Sequence, residues 1–112
     1  MIKVLITGGA GFIGYHLAKK MCNDYYITIV DNNARGVMDR GLKKLIELSN
    51  VEFVQIDLLQ ERKINKLSKD YDYIFHLAAI IGVVHVLNRP YDVLTKNIAM
   101  LENMVNFSKD QK

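Results

Sequence analysis

The residues with the most chemical promise lie near the start of the chain, where Thr7-Gly8-Gly9-Ala10-Gly11-Phe12-Ile13-Gly14 separates an apolar run from a stretch of helical spacing. The octet satisfies G-x-x-G-x-x-G through Gly8, Gly11 and Gly14, and G-x-G-x-x-G through Gly9, Gly11 and Gly14. A phosphate reaches hydrogen-bonding distance of a backbone only where no side chain intervenes. It gains there from the unpaired N–H groups and positive dipole end of a helix. On that reading Gly8 makes the tight turn, Gly11 allows the close approach and Gly14 lets the helix pack on its strand. A flexible turn is the alternative, but strand, loop and helix signals stand in the order that a dinucleotide or nucleotide phosphate site requires.

Asp31 follows the run from Tyr26 to Val30, 23 residues after Gly8. A carboxylate there accepts hydrogen bonds from the adenosine ribose hydroxyls and repels the 2′-phosphate of NADP. The competing explanation is a turn-forming aspartate beside Asn32 and Asn33. Arg35 complicates the preference because arginine pairs with a 2′-phosphate, yet NAD is expected ahead of NADP. Asp57, with Leu58, ends the run from Val51 to Ile56. A short acid at that point either accepts from an adenine amino group, with Leu58 covering the ring, or caps the helix that follows. His76 is expected to be a core histidine bonded to backbone, and His16 and His85 show no partner spacing.

The elements that must position these residues follow from a switch between short β-branched runs and longer stretches of helical spacing, which argues for an α/β domain with a parallel sheet. Strands are expected at Ile2 to Thr7, Tyr26 to Val30, Val51 to Ile56 and Tyr73 to Ala78. Helices are expected from Phe12 to Cys22, with Ile13, Leu17 and Met21 inward, from Met38 to Ser49, and from Glu61 to Lys69. Gly41 weakens the second by roughly 1 kcal/mol relative to alanine. A loop from Ala79 to Arg89 leads to a last helix, Tyr91 to about Ser108, behind Pro90, whose missing N–H is not needed in a first turn. Its stripe of Val93, Leu94, Ile98, Leu101, Met104 and Val105 reads as core, with packing against a partner helix as the other reading.

Right-handed crossovers give a four-stranded parallel sheet of order 3-2-1-4 with helices on both faces, and a ligand crevice at the carboxyl ends of strands 1 and 4. Ile74, Phe75, Leu77, Ala78, Ala79, Ile80 and Ile81 are too apolar for an edge facing water, so a further strand is expected beside the fourth.

At 112 residues the chain has room for one domain and none for a separate substrate domain. Its 15 Lys and Arg against 12 Asp and Glu give a net charge of +3, with the cations scattered, which favours solvated faces over a nucleic-acid site. The single cysteine, Cys22, excludes an internal disulfide, and no cysteine and histidine cluster has zinc-ligand spacing. No metal site is expected, no signal or membrane-spanning segment is evident, and the expected compartment is the reducing cytoplasm.

The chain resembles the extended short-chain dehydrogenase/reductases, within them the NAD-dependent nucleotide-sugar epimerases, dehydratases and decarboxylases. The carriers are the glycine octet, Val30-Asp31-Asn32 with Arg35-Gly36, Asp57-Leu58, His76-Leu77-Ala78-Ala79, Pro90 and Asn97. The resemblance implies the N-terminal half of a Rossmann fold in which Gly8, Gly11, Phe12 and Ile13 hold the pyrophosphate and Asp31 with Asn32 the adenosine ribose. It further implies that Asp57 and Leu58 face the adenine, that Leu77, Ala78 and Ala79 line the cofactor beyond the phosphates, and that Asn97 braces the site. Met100 and Leu101 stand where the family commonly has glycine and threonine, and Ile81 stands where some epimerases carry lysine. The family acts through a serine or threonine on the fifth strand and a Tyr-x-x-x-Lys pair on the next helix. Neither is expected within residues 1–112, which read as one domain cut short before its fifth strand. Tyr15 and Lys19 match the pair in spacing only. The implied parent is an enzyme acting on a nucleotide sugar, with a homodimer through the last helix. The alternative is a non-catalytic nucleotide-binding module, or a subunit that pairs with another chain.

Overall fold

The computed structural model describes residues 1–32, 39–81 and 83–112. Four strands, β1 (Lys3–Thr7), β2 (Tyr26–Asp31), β3 (Val51–Gln55) and β4 (Tyr73–His76), form one sheet in the order β3-β2-β1-β4, as the crossover rule requires. Every pairing is parallel, with Leu5 opposite Thr28 on one side and Ile74 on the other. Five helices are present among the described residues: α1 (Phe12–Met21), α2 (Arg40–Ile46), α3 (Glu61–Ile64), α4 (Val83–Asn88) and α5 (Pro90–Lys109).

Side chains alternate across a strand, so β1 and β2 feed two cores. On one face Val4, Ile6, Ile27 and Ile29 pack with Ala18, Leu42 and Leu45 of α1 and α2. On the other, Leu5 and Val30 meet Ile56, Leu58, Ile64, Met100, Met104 and Phe107 beneath α3 and α5. Met100, where the resemblance has glycine, is buried there.

The boundaries depart from expectation in instructive ways. Strand β2 continues through Asp31, whose carbonyl accepts from Ile56 N–H at 3.1 Å. Helix α3 ends at Ile64, and the chain tightens into i→i+3 bonds at Lys66 and Leu67, the more tightly wound geometry common at helix ends. Within the expected loop from Ala79 to Arg89 stands α4, separated from α5 because a residue before proline is pushed out of the helical region; Arg89 has φ −141 and ψ 59. Helix α2 starts at Arg40, capped by Asp39 Oδ1, which accepts from Leu42 N–H at 2.8 Å. Gly41 has a packing reason there, since a Cβ would lie 2.6 Å from the Tyr15 hydroxyl. Met38, like Asn33, Arg35 and Gly36, lies outside the described residues.

Two helix faces are corrected. Ile13 is 70% exposed rather than inward, because α1 approaches the sheet through Gly14 and Ala18. On α5 the inward face is Val93, Met100, Met104 and Phe107, whereas Leu94, Ile98, Leu101 and Val105 stay exposed, which is not the single core stripe expected.

Candidate functional site

The glycine loop lies at the carboxyl edge of the sheet, between the ends of β1, β2 and β4. Gly8 has φ +72, a conformation open to glycine, and a Cβ there would sit 2.9 Å from Ala78 N at the end of β4. Its own N–H donates to Val30 O at 2.8 Å, and Gly11 N–H closes the turn on Gly8 O at 3.1 Å. Gly14 is excluded from any larger residue by backbone alone, its ideal Cβ falling 2.5 Å from Gly8 O. Gly11 differs, since a Cβ there meets only Gly8 O, at 3.4 Å, leaving the approach to the helix end open.

No side chain caps α1 and its first turn carries no acidic residue, so the first N–H groups of this ten-residue helix have no side-chain acceptor within its first turn, the condition under which a helix end can take an anion. Phe12 and Ile13, 81% and 70% exposed, flank that end. Asp31 Oδ2 accepts from Ala10 N–H at 3.1 Å, so the carboxylate at the end of β2 also ties down the glycine loop. Asn32 follows it, exposed.

At the end of β3, Asp57 Oδ1 accepts from Leu59 N–H at 3.0 Å, and Asp57 O from Gln60 N–H at 2.9 Å. Asp57 therefore closes its own turn and does not cap α3, whose N-cap is Gln60. The side chain of Leu58 is only 3% exposed, in the core with Met104 and Phe107, so a ring at this turn would meet its backbone and not its side chain.

The end of β4 is held by Thr7. Its hydroxyl accepts from Leu77 N–H at 3.1 Å and from Ala78 N–H at 3.2 Å, which leaves its own proton for His76 Nδ1 at 2.8 Å. That bond puts the imidazole proton on Nε2, and burial pushes the His76 pKa down. His76 is thus half-buried against a hydroxyl, not a core histidine bonded to backbone. Leu77 and Ala79 are exposed beside it and Ala78 is half-buried. From α5, Asn97 grips the two peptides that flank Ile80, Oδ1 accepting from Ile80 N–H at 2.7 Å and Nδ2 donating to Ile80 O at 3.1 Å. Tyr15 and Lys19 line a groove with Gly41, Lys44 and Leu48 on the α2 side of α1, away from this edge. Reading the sequence missed Asn103, whose Nδ2 donates to Leu58 O at 2.8 Å; a polar residue on a helix carries no signal of its own.

A parallel sheet of this order, with a glycine turn feeding an uncapped helix and polar residues at the strand ends, defines the N-terminal half of a Rossmann fold. Residues 4–112 match the NAD dependent epimerase/dehydratase family, and the chain belongs to it. It is 35% identical over 105 residues to the UDP-N-acetyl-alpha-D-glucosaminuronate decarboxylase of Bacillus cytotoxicus, across 92% of this chain and 32% of that protein. Over 116 residues it is 32% identical to the UDP-glucose 4-epimerase of Homo sapiens, across 91% and 33%. The solved UDP-N-acetylglucosamine 4-epimerase from Methanobrevibacter ruminantium M1, in complex with UDP-N-acetylmuramic acid, matches with a TM-score of 0.83 at 31% identity, covering 98% of this chain and 34% of that one. The chain spans about a third of the length of the curated relatives it matches. Among the described residues no helix is long and apolar enough to cross a membrane.

Proposed function

We propose that residues 1–112 form the NAD-binding portion of an enzyme that modifies a nucleotide-linked sugar by transient oxidation. The supporting observation is the open end of α1, where Gly11 leaves space and the Asp31 carboxylate stands one hydrogen bond from the loop. A pyrophosphate fits N–H groups that no side chain caps and no acid of the first turn competes for. Asp31 and Asn32 take the adenosine ribose, and Asp57 and the Leu58 backbone take the adenine. Leu77, Ala78 and Ala79 line the cofactor beyond the phosphates, with Asn97 bracing them through Ile80. NAD held there would supply the hydride acceptor for the oxidation of the sugar. This chain's residues bind and orient it, and no catalytic group is assigned to them. Relatives that act on UDP-sugars support a nucleotide-sugar substrate, and the lone Cys22 suits a reducing cytoplasm.

Isothermal titration with NAD and NADP tests the reading. NAD is expected to bind more tightly, and Asp31→Ala to narrow that preference toward unity by removing the carboxylate that repels a 2′-phosphate. No heat at millimolar NAD, or an unchanged preference in the variant, counts against it.

A second reading concerns partners. Tyr91, Leu94, Ile98, Leu101 and Val105 are exposed on α5 at alternating spacings of three and four, the seam of a helix that packs on another helix. With the outer edge of β4 unpaired among the described residues, this supports a sheet that continues past β4 and a homodimer through α5, or a complementary chain in its place. Ile98→Glu should turn a dimer to monomer in sedimentation; a wild-type monomer refutes the dimer.

A further inference from the structure

We infer that Asn103 is a positioning residue that sets base specificity, acting through the single peptide between Leu58 and Leu59. The inference rests on the nucleotide-binding reading and assigns a role to a side chain outside the cofactor-lining residues. Asn103 Nδ2 donates to Leu58 O at 2.8 Å. The N–H of that same peptide unit belongs to Leu59 and donates to Asp57 Oδ1 at 3.0 Å. A peptide is planar, so fixing its carbonyl fixes its N–H. Asn103 on α5 therefore orients the Asp57 carboxylate through a rigid lever one peptide long. The lever is anchored on both sides, because the Leu58 side chain is buried among Met100, Met104 and Phe107, and Gln60 N–H closes the turn on Asp57 O.

Two groups of the turn have no partner among the described residues: Asp57 Oδ2 and Leu58 N–H. They are an acceptor and a donor on consecutive residues at the carboxyl edge of β3. An adenine presents the complementary pair, an amino donor beside a ring-nitrogen acceptor, whereas hypoxanthine replaces the amino group with a carbonyl oxygen that would face the carboxylate. Discrimination between the two bases depends on the carboxylate angle, and so on Asn103. Asparagine is a poor choice for the middle of a twenty-residue helix on propensity alone. The bond to Leu58 O gives it a reason to be there.

The test is titration of the protein with NAD and with nicotinamide hypoxanthine dinucleotide. Asn103→Leu keeps the shape and removes the donor; it is expected to weaken NAD binding about tenfold while leaving the hypoxanthine analogue nearly unchanged, so that the ratio collapses. Asn103→Asp places an acceptor against Leu58 O and should do the same, which keeps the test open if the leucine variant does not fold. In an Asp57→Asn background the Asn103 change should have no further effect on the ratio. A proportional loss of both ligands would show a merely structural role, and an unchanged ratio would show no role; either overturns the inference alone. A wild-type protein that binds neither dinucleotide overturns the nucleotide reading and this inference with it.

Discussion

Two glycines of one motif should fail in opposite ways. At Gly14 an added Cβ lies 2.5 Å from Gly8 O and 2.6 Å from Gly9 Cα, both backbone atoms with no flexible end to yield. Ordinary contact begins near 3.4 Å, so α1 must lift off the sheet by about an ångström. Overpacking of that kind costs about 1–3 kcal/mol, and rigid neighbours put it at the upper end. The helix propensity gained from glycine to alanine returns about 1 kcal/mol, leaving a net loss of about 2 kcal/mol, which at this size lowers Tm by roughly 10 °C. At Gly11 the backbone is extended, φ −78 and ψ 176, which any residue adopts, and the nearest atom to a Cβ is 3.4 Å away. Gly11→Ala should therefore cost under about 1 kcal/mol of stability. A methyl group where the pyrophosphate approaches should still weaken NAD at least tenfold, about 1.4 kcal/mol. Calorimetric melting and titration of both variants give the two numbers separately. Native affinity in Gly11→Ala, or an unshifted Tm in Gly14→Ala, would refute the assignment of close approach to one and close packing to the other.

The Thr7 network makes two further predictions. Thr7→Val leaves Leu77 N–H, Ala78 N–H and His76 Nδ1 without their shared hydroxyl and should cost about 1–3 kcal/mol in urea unfolding, while Thr7→Ser should recover most of it. The folded pKa of His76 is lowered by burial, so the unfolded chain binds the proton more tightly. That increment of stability is present above pH ~6.5, the unfolded value, and is lost as pH falls toward the lower folded value. Urea midpoints from pH 7.5 to 5 should show this slope, and its persistence in His76→Gln would refute the assignment to His76.

What was legible in the sequence was whatever local pattern decides. Strands such as Tyr26-Ile27-Thr28-Ile29-Val30 announce themselves by β-branched density between turn residues, and the crossover rule then orders the sheet. Contacts decide the rest. The inward face of α1 is set by Gly14 against Gly8 and Gly9, and a glycine contact leaves no mark in hydrophobic periodicity. Val83-Val84-His85-Val86-Leu87 has no period to reveal α4. On α5 two apolar faces interleave, and only packing tells Met100 and Met104, which are buried, from Ile98 and Leu101, which are not. The glycines and strand-end acids of the candidate site were readable from type and spacing, but Asn103 required the fold to bring residues 45 apart together.

The polar side chains at the carboxyl edge share a habit that bears on affinity. Thr7 holds the backbone of residues 77 and 78, Asp31 that of Ala10, Asp57 that of Leu59, Asn97 that of Ile80 and Asn103 that of Leu58. Each bond fixes a loop peptide before a ligand arrives, so less ordering remains to be done on binding, and binding energy is preserved as preorganisation. The amino edge works differently. Lys3 pairs with Asp70 at 2.6 Å and donates its backbone N–H to Asp72, the Tyr71 hydroxyl donates to Thr28 at 3.0 Å, and Asn50 donates to Cys22 O and Tyr25 O. Those bonds join strands and connections at the end of the sheet opposite the candidate site. A substitution at the amino edge should therefore change Tm and leave relative ligand affinities alone, whereas one at the carboxyl edge should change both, because there the groups that stabilise the loops are the groups that aim them.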